Sequence, residues 1–367
     1  MRRHRSPIRI VSRALAGAAI AAAPWCAPLA LPPLPALDID VAQTSVSGLS
    51  SGAFMAVQFG VAHSSIVRGV GIVAGGPYYC AQGDASRATT RCSCTLDPAH
   101  LLCSVSASST DIAALARAAR AYFADGRIDD PGNLAAQRIY VLTGASDPIV
   151  PSAVATQLAD WYRGFSVSAL DLVAKPGLGH TMPTVAFGKG CSVSESPYLG
   201  RCGFDAAGAI LKWVYGPLEP KRAAPPASRF VEFDQARYVR APSFPWAVGM
   251  DVGGWLYVPA DCARGAKCRL HVALHGCRQG QSYLPVETPP GGGLYFGTTF
   301  VRHAGYAQWA DSNRIVVLFP QAVSIPLINP DGCWDWWGYT GEDYATRSGV
   351  QIAAIRAMID ALAAGAH

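Results

Sequence analysis

Three residue types that together perform acyl transfer stand in one order along this chain: a serine, then an aspartate, then a histidine. Gly48-Leu49-Ser50-Ser51-Gly52 fits the G-x-S-x-G pattern, whose glycines permit a strained strand-to-helix turn that lifts a serine hydroxyl above a sheet. Ser50 is its centre. A hydroxyl is a weak nucleophile at neutral pH and needs a base, which must itself be oriented by a carboxylate. Asp147, in Gly144-Ala145-Ser146-Asp147-Pro148, and His180, in Gly177-Leu178-Gly179-His180-Thr181, each follow an expected strand. Loops after parallel strands are where open α/β sheets carry their sites. Asp129 or Asp160 are the rival carboxylates and His63, His100, His275 or His303 the rival bases, but none follows an expected strand in the required order. Ser51 offers its backbone N–H, directly after the nucleophile, as one oxyanion donor. A second donor is expected from an HG-type loop, and Leu274-His275-Gly276-Cys277 supplies one.

These residues need a scaffold of strands alternating with helices, and the sequence has one. Residues 40–47 are β-rich, and 53–63 follow with helical periodicity. Strands are expected at 67–74, 138–143 and 167–173, with helices at 111–124, 151–162 and 204–215. The stretch 80–103 is a cysteine-bearing insertion. Residues 217–228, rich in proline and charge, read as a linker. Beyond it, 255–259, 269–274 and 315–319 read as strands, 299–312 contains a helix, and 348–364 is a long amphipathic helix. Such alternation implies a mostly parallel sheet with helices on both faces. The expected organisation is a leader over 1–36 and a single catalytic domain over 37–367, its halves 37–216 and 229–367 joined by the linker. The HG loop lies C-terminal to the serine, whereas the usual order of this fold places it before. Circular permutation accounts for that, and it requires the two ends of the domain to lie close together.

Composition narrows the partners. The chain has 367 residues, half of them apolar, and a formal charge of +5 from 30 basic and 25 acidic residues. Arg2, Arg3, Arg5, Arg9 and Arg13 crowd the N-terminus, so the remainder is nearly neutral and nucleic acid is a poor partner. The basic stretch, the apolar run 14–23 and the small residues near 27–30 read as an export signal. Pro24, Pro28, Pro32 and Pro33 interrupt it too early for a membrane span. Eleven cysteines suit an oxidising compartment. With Cys26 in the leader, ten remain. Cys191–Cys202, Cys262–Cys268 and Cys277–Cys333 are the expected bridges, with two more among Cys80, Cys92, Cys94 and Cys103. Four thiolates on zinc are the alternative for the last group, but their spacing matches no common zinc module. No metal or cofactor is expected, and the protein is expected to be a secreted monomer.

Gly48-Leu49-Ser50-Ser51-Gly52-Ala53-Phe54-Met55, His275-Gly276-Cys277, Phe319-Pro320-Gln321 and the run from Asn329-Pro330-Asp331-Gly332-Cys333 through Trp334-Asp335-Trp336-Trp337-Gly338 resemble poly(3-hydroxybutyrate) depolymerases. The order of motifs is that of their circularly permuted form of the α/β-hydrolase fold. The resemblance covers nearly the whole mature chain, and against it no separate polymer-binding domain is expected. It implies Ser50, Asp147 and His180 as catalytic triad, the N–H groups of Ser51 and Cys277 as oxyanion hole, and a water-insoluble polyester or its oligomers as substrate. Trp334, Trp336, Trp337 and Tyr339, with Tyr78 and Tyr79 behind them, are then candidates for the polymer surface, Trp334 first among them. Ordinary core packing competes for at least half of these rings. Feruloyl or acetylxylan esterases share the HGC and GCW motifs and are the rival activity. A non-catalytic polymer-binding protein and a peptidase are the remaining alternatives.

Overall fold

The computed structural model describes residues 30–95, 103–240 and 244–365. Residues 31–367 form one compact unit. Most of the expected leader lies outside the described residues. In chain order the unit runs β1 (Ile39–Leu49), α1 (Ser51–Ala62), β2 (Val67–Val73), α2 (Ala85–Thr90), α3 (Ile112–Ala124), β3 (Arg138–Gly144), α4 (Ser152–Arg163) and β4 (Leu170–Lys175). Three short strands follow, β5 (Met182–Thr184), β6 (Lys189–Gly190) and β7 (Leu199–Arg201), then α5 (Ala206–Tyr215). The second half comprises β8 (Phe230–Asp234), β9 (Gly253–Tyr257), α6 (Ala260–Ala263), β10 (Cys268–Leu274), α7 (Thr299–His303), α8 (Tyr306–Asn313), β11 (Ile315–Phe319) and α9 (Val350–Leu362).

The central sheet has the order β4-β3-β2-β1-β10-β11-β9-β8. Every pairing from β4 to β11 is parallel, and only β9 and β8, at one edge, are antiparallel. Central strands buried on both faces need apolar residues at every position, and β11, Ile-Val-Val-Leu-Phe, is buried throughout. Its alternate side chains enter two different cores. Val316 and Leu318 belong to the core that includes α1, α4 and α9, while Ile315, Val317 and Phe319 belong to the one that includes α5, α7 and α8. This is the mostly parallel sheet with helices on both faces of the α/β-hydrolase fold.

Read from β8 onward and continued from α9 into β1, the strands become one to eight and the sheet order becomes 1-2-4-3-5-6-7-8. The HG loop then follows the third strand, as this fold requires of it. The join is short, since the Leu37 N–H donates to the Leu362 carbonyl at 2.7 Å. The expected proximity of the domain's ends is therefore present in the structure.

Some elements differ from expectation. The 299–312 helix is two helices, α7 and α8, broken where Gly305 takes a left-handed φ of 99°. The edge strand β8 was not expected, nor was the small sheet β5-β7-β6. Segment 217–228 is tied down rather than free: the Arg222 N–H donates to Gln308 O, Asn313 Oδ1 accepts from the Glu219 N–H, and Arg222 pairs with Asp311.

The ten cysteines from Cys80 to Cys333 all pair. Cys80–Cys92 and Cys94–Cys103 staple the insertion after β2, and Cys191–Cys202, Cys262–Cys268 and Cys277–Cys333 form as expected.

Candidate active site

The carboxyl ends of β1, β3, β4 and β10 all open on one edge of the sheet, and each delivers one candidate group there. At the end of β1 the backbone turns into α1 through Ser50, held at φ 55° and ψ −122°. A non-glycine residue in that region is strained by roughly 1–3 kcal/mol and persists only where its surroundings over-determine it. Here they do. The Ser50 N–H donates to Val73 O, and its carbonyl accepts from the N–H groups of Ala53 and Phe54. The two glycines of the motif let backbones touch: a Cβ on Gly48 would sit 2.3 Å from the Gly52 carbonyl group, and one on Gly52 2.3 Å from His275 O. Helix α1 thereby starts directly against the end of β10.

Asp147 and His180 meet. Oδ2 of Asp147 lies 2.8 Å from Nδ1 of His180, and both side chains are buried. The other carboxylate oxygen accepts the N–H groups of Ile149 and Val150, at 2.8 and 2.9 Å, which fixes the carboxylate. A carboxylate only accepts, so Nδ1 carries the proton and Nε2 is left as the basic nitrogen. The two loops are joined by backbone as well, the Ser146 N–H donating to Leu178 O. A Cβ on Gly144 would fall 2.1 Å from that same carbonyl oxygen.

The HG loop lies against the serine, since a Cβ on Gly276 would stand 3.4 Å from Ser50 Cβ. The backbone N–H groups of Ser51, next to the serine, and of Cys277, next to Gly276, have no acceptor among the described residues. Cys277 is bridged to Cys333, whose neighbour Trp334 donates its backbone N–H to Ser51 Oγ at 3.3 Å.

Of the rival acids and bases only His275 lies near Ser50, and both its ring nitrogens are engaged, by Gly276 O and the Ala322 N–H. Asp129 bonds Ser65 and Arg347, Asp160 pairs with Arg163 on the surface, and His303 stacks on Phe187. His63 packs on Phe59 within the helical layer, and His100 lies outside the described residues. Among the described residues no cluster of three or more His, Cys, Asp or Glu side chains is placed to hold a metal.

The aromatic loop divides. Trp334, the first candidate for an exposed ring, is instead fully buried; its indole N–H is satisfied by His275 O at 3.0 Å and its ring packs beside the His275 imidazole. An indole that finds an internal acceptor loses nothing by leaving water. Trp336 is 6% exposed and stacks on Phe54 with centroids 4.1 Å apart. Tyr339 is tied through its hydroxyl to Cys333 O, Gln351 and Asn329, and Tyr78 is buried. Trp337 is half-buried, edge-on to Trp336 and 4.9 Å from the Tyr339 ring, and is the most accessible indole of the three. The loop is held by the buried Asp335 carboxylate, which accepts the N–H groups of Trp337, Gly338, Tyr339 and Thr340.

Two supporting side chains went unnoticed in the sequence. Ser194 Oγ accepts the His180 N–H, and Gln279 bonds the Gly276 N–H on one side and the Pro197 carbonyl on the other. Neither sits in a motif, and their partners are distant in the chain.

Comparison with known proteins decides the family. A poly(3-hydroxybutyrate) depolymerase of Delftia acidovorans is 39% identical over 361 residues, 97% of this chain and 66% of that protein. A polyhydroxybutyrate depolymerase of Talaromyces funiculosus is 36% identical over 348 residues, 90% of this chain and 93% of that protein. The chain belongs to the poly(3-hydroxybutyrate) depolymerase family. It spans just under two thirds of the Delftia relative. The crystal structure of the depolymerase from Penicillium funiculosum superposes with a TM-score of 0.78 at 35% identity, over 91% of this chain and all of that one. A depolymerase complexed with an R3HB trimer matches equally well, at 34% identity. No family model matches the chain. Members of the depolymerase family therefore share both the sequence and the fold described above.

Proposed function

We propose that this protein is a secreted esterase that hydrolyses poly(3-hydroxybutyrate), or a related short-chain polyhydroxyalkanoate, to oligomers and monomers through an acyl-enzyme. Ser50 Oγ attacks the ester carbonyl while His180 Nε2 takes its proton. Asp147 holds the imidazole in the tautomer with Nε2 free and stabilises the imidazolium that forms. The N–H groups of Ser51 and Cys277 receive the negative charge that develops on the carbonyl oxygen. Collapse of the tetrahedral intermediate releases the hydroxyl end of the chain with the proton from His180. Water, deprotonated by the same imidazole, then frees Ser50 and leaves the new carboxylate.

The observation that carries this reading is the match to a depolymerase over 90% of this chain and 93% of that protein. The 2.8 Å Asp147–His180 bond and the strained Ser50 turn support the residue roles. Five bridges suit an exported protein, and among the described residues no helix is long and apolar enough to cross a membrane. Trp337, together with the exposed rings of Phe244 and Trp246, offers apolar area for a solid polymer. The test is to incubate wild type and Ser50→Ala with amorphous poly(3-hydroxybutyrate), p-nitrophenyl butyrate and a feruloyl ester. Wild type should release hydroxybutyrate oligomers, and Ser50→Ala should lose about 10³-fold or more on every ester while staying folded. Cleavage of the feruloyl ester with the polymer untouched would transfer the assignment to the rival esterases.

A further inference from the structure

The turn between β4 and β5 carries His180, and a segment further along the chain holds its backbone. The Gly179 N–H donates to Cys191 O at 3.0 Å, the His180 N–H to Ser194 Oγ at 2.8 Å, and the Met182 N–H to Tyr198 O at 2.9 Å. Donors on both sides of the histidine, and its own, are thus received by residues 191–198. That segment is closed on itself. Cys191 is bridged to Cys202, Lys189 pairs with Glu195, and β7 runs parallel to β5 with Leu199 opposite Met182. A closed loop has less conformational freedom than an open one, so what it touches is held. The approach is too close for a side chain before the histidine: a Cβ on Gly179 would fall 2.6 Å from Ser192 O and 2.8 Å from Ser194 Oγ.

Of the three contacts, only that of Ser194 is made by a side chain, and it is made to the histidine itself. The N–H it receives is one bond from the Cα that bears the imidazole arm, so fixing this peptide fixes the direction in which the ring leaves the backbone. The Asp147 bond at Nδ1 then fixes the rotation of the ring. Neither is enough alone, because a ring held at one edge by a carboxylate still pivots about that edge and carries Nε2 through an arc. Tyr198, from the same loop, stands edge-on to the imidazole with centroids 6.2 Å apart and takes a left-handed φ of 52°. A non-glycine residue keeps such a conformation only where its surroundings over-determine it.

We propose that Ser194 is a positioning residue for hydrolysis: through its bond to the His180 N–H, the disulfide-closed loop 191–202 aims the imidazole so that Nε2 faces the Ser50 hydroxyl. This rests on the reading of His180 as the general base. Rates fall steeply with misplacement, on the order of 10²-fold for 1 Å, so loss of this one bond belongs in kcat rather than in KM.

On p-nitrophenyl butyrate, Ser194→Ala should lower kcat by about 10-fold with KM within about twofold. Its melting temperature should fall by no more than about 4 °C, the effect of one lost hydrogen bond in a chain of this size. Ser194→Thr, which keeps the hydroxyl, should return kcat to within about threefold of wild type. The proton between His180 Nδ1 and Asp147 reports the aim directly: its downfield resonance, sharp in wild type, should broaden or vanish in Ser194→Ala and persist in Ser194→Thr. Glu195→Gln breaks the ion pair of the same loop and should leave kcat and resonance as in wild type; a loss equal to that of Ser194→Ala would mean general loosening and overturn the proposal. His180→Ala should lose about 10³-fold or more. If it stays active, the reading of His180 as base falls and this proposal with it. An inactive His180→Ala beside a Ser194→Ala with wild-type kcat and an unchanged resonance overturns the role of Ser194 alone. Should Ser194→Ala not fold, Gly179→Ala tests the same contact from the other side: a lowered kcat with a broadened resonance supports the proposal, and wild-type values for both remove it.

Discussion

Ser50, Asp147 and His180 are set apart from other serines, aspartates and histidines of the chain by what holds them. Ser50 is forced into its turn by two glycines that admit no Cβ, and His180 is committed to one tautomer by a carboxylate whose second oxygen is already occupied. The tryptophans sort by the same question of partners. Trp334→Ala should cost stability, about 3–5 kcal/mol for a fully buried large ring, read as a fall in melting temperature. Trp337→Ala should lower melting less than Trp334→Ala and reduce hydrolysis of polymer and oligomers severalfold more than hydrolysis of a p-nitrophenyl ester, which does not occupy an extended groove. Equal loss on both substrates would place Trp337 outside the polymer groove. The triad candidates were legible in the sequence because turn chemistry and chain order are local signals. The division of the tryptophans was not, because it depends on whether an indole meets a distant carbonyl, and that of His275 is 59 residues from Trp334.

At the scale of elements, the close approach of α1 to β10 is what joins the serine to the HG loop. Gly52 makes it possible, since a Cβ there would stand 2.3 Å from His275 O and 2.5 Å from Leu274 O, both rigid backbone atoms at a strand end. Gly52→Ala should therefore destabilise by more than about 3 kcal/mol or abolish soluble expression, as overpacking against backbone has no flexible neighbour to absorb it. Gly190→Ala is the control. Its Cβ would meet only Val193 Cγ2, at 3.6 Å, and the change should stay within about 0.5 kcal/mol. If Gly52→Ala melts like wild type, the packing argument for the motif's second glycine fails. The strands and helices that carry the site were readable from apolar runs and 3.6-residue periodicity. The edge strand β8 and the three short strands were not, because pairing with a partner, rather than a pattern of their own, makes them strands.

Over the whole molecule, the sheet buries polar groups as well as apolar ones, and this gives stability a pH dependence. On the α5 and α8 side, His271 bridges Ser45 Oγ at 2.6 Å and Ser47 Oγ at 2.8 Å, and the serines bond the hydroxyls of Tyr215 and Tyr306. Burial lowers the His271 pKa to about 3 and that of His275 to about 4. His63 is also lowered to about 4, by burial first and then by Arg356. In the unfolded chain each would titrate near 6.5. Between that value and about 4 the unfolded state binds more protons than the folded one, so stability falls as pH is lowered through this window. Above about 6.5 these groups contribute no slope. Asp335 and Glu232, whose pKa values burial raises, act in the opposite sense and offset part of the loss. The histidines prevail because three are lowered that far, and the net loss by pH 4 should be on the order of a few kcal/mol. Thermal melting in matched buffers from pH 7.5 to 4 measures it: the midpoint should hold above about pH 6.5 and drop steadily below. A flat midpoint down to pH 4.5 would mean that the buried imidazoles accept protons without cost, and that the hydrogen-bonded layer around His271 opens to water.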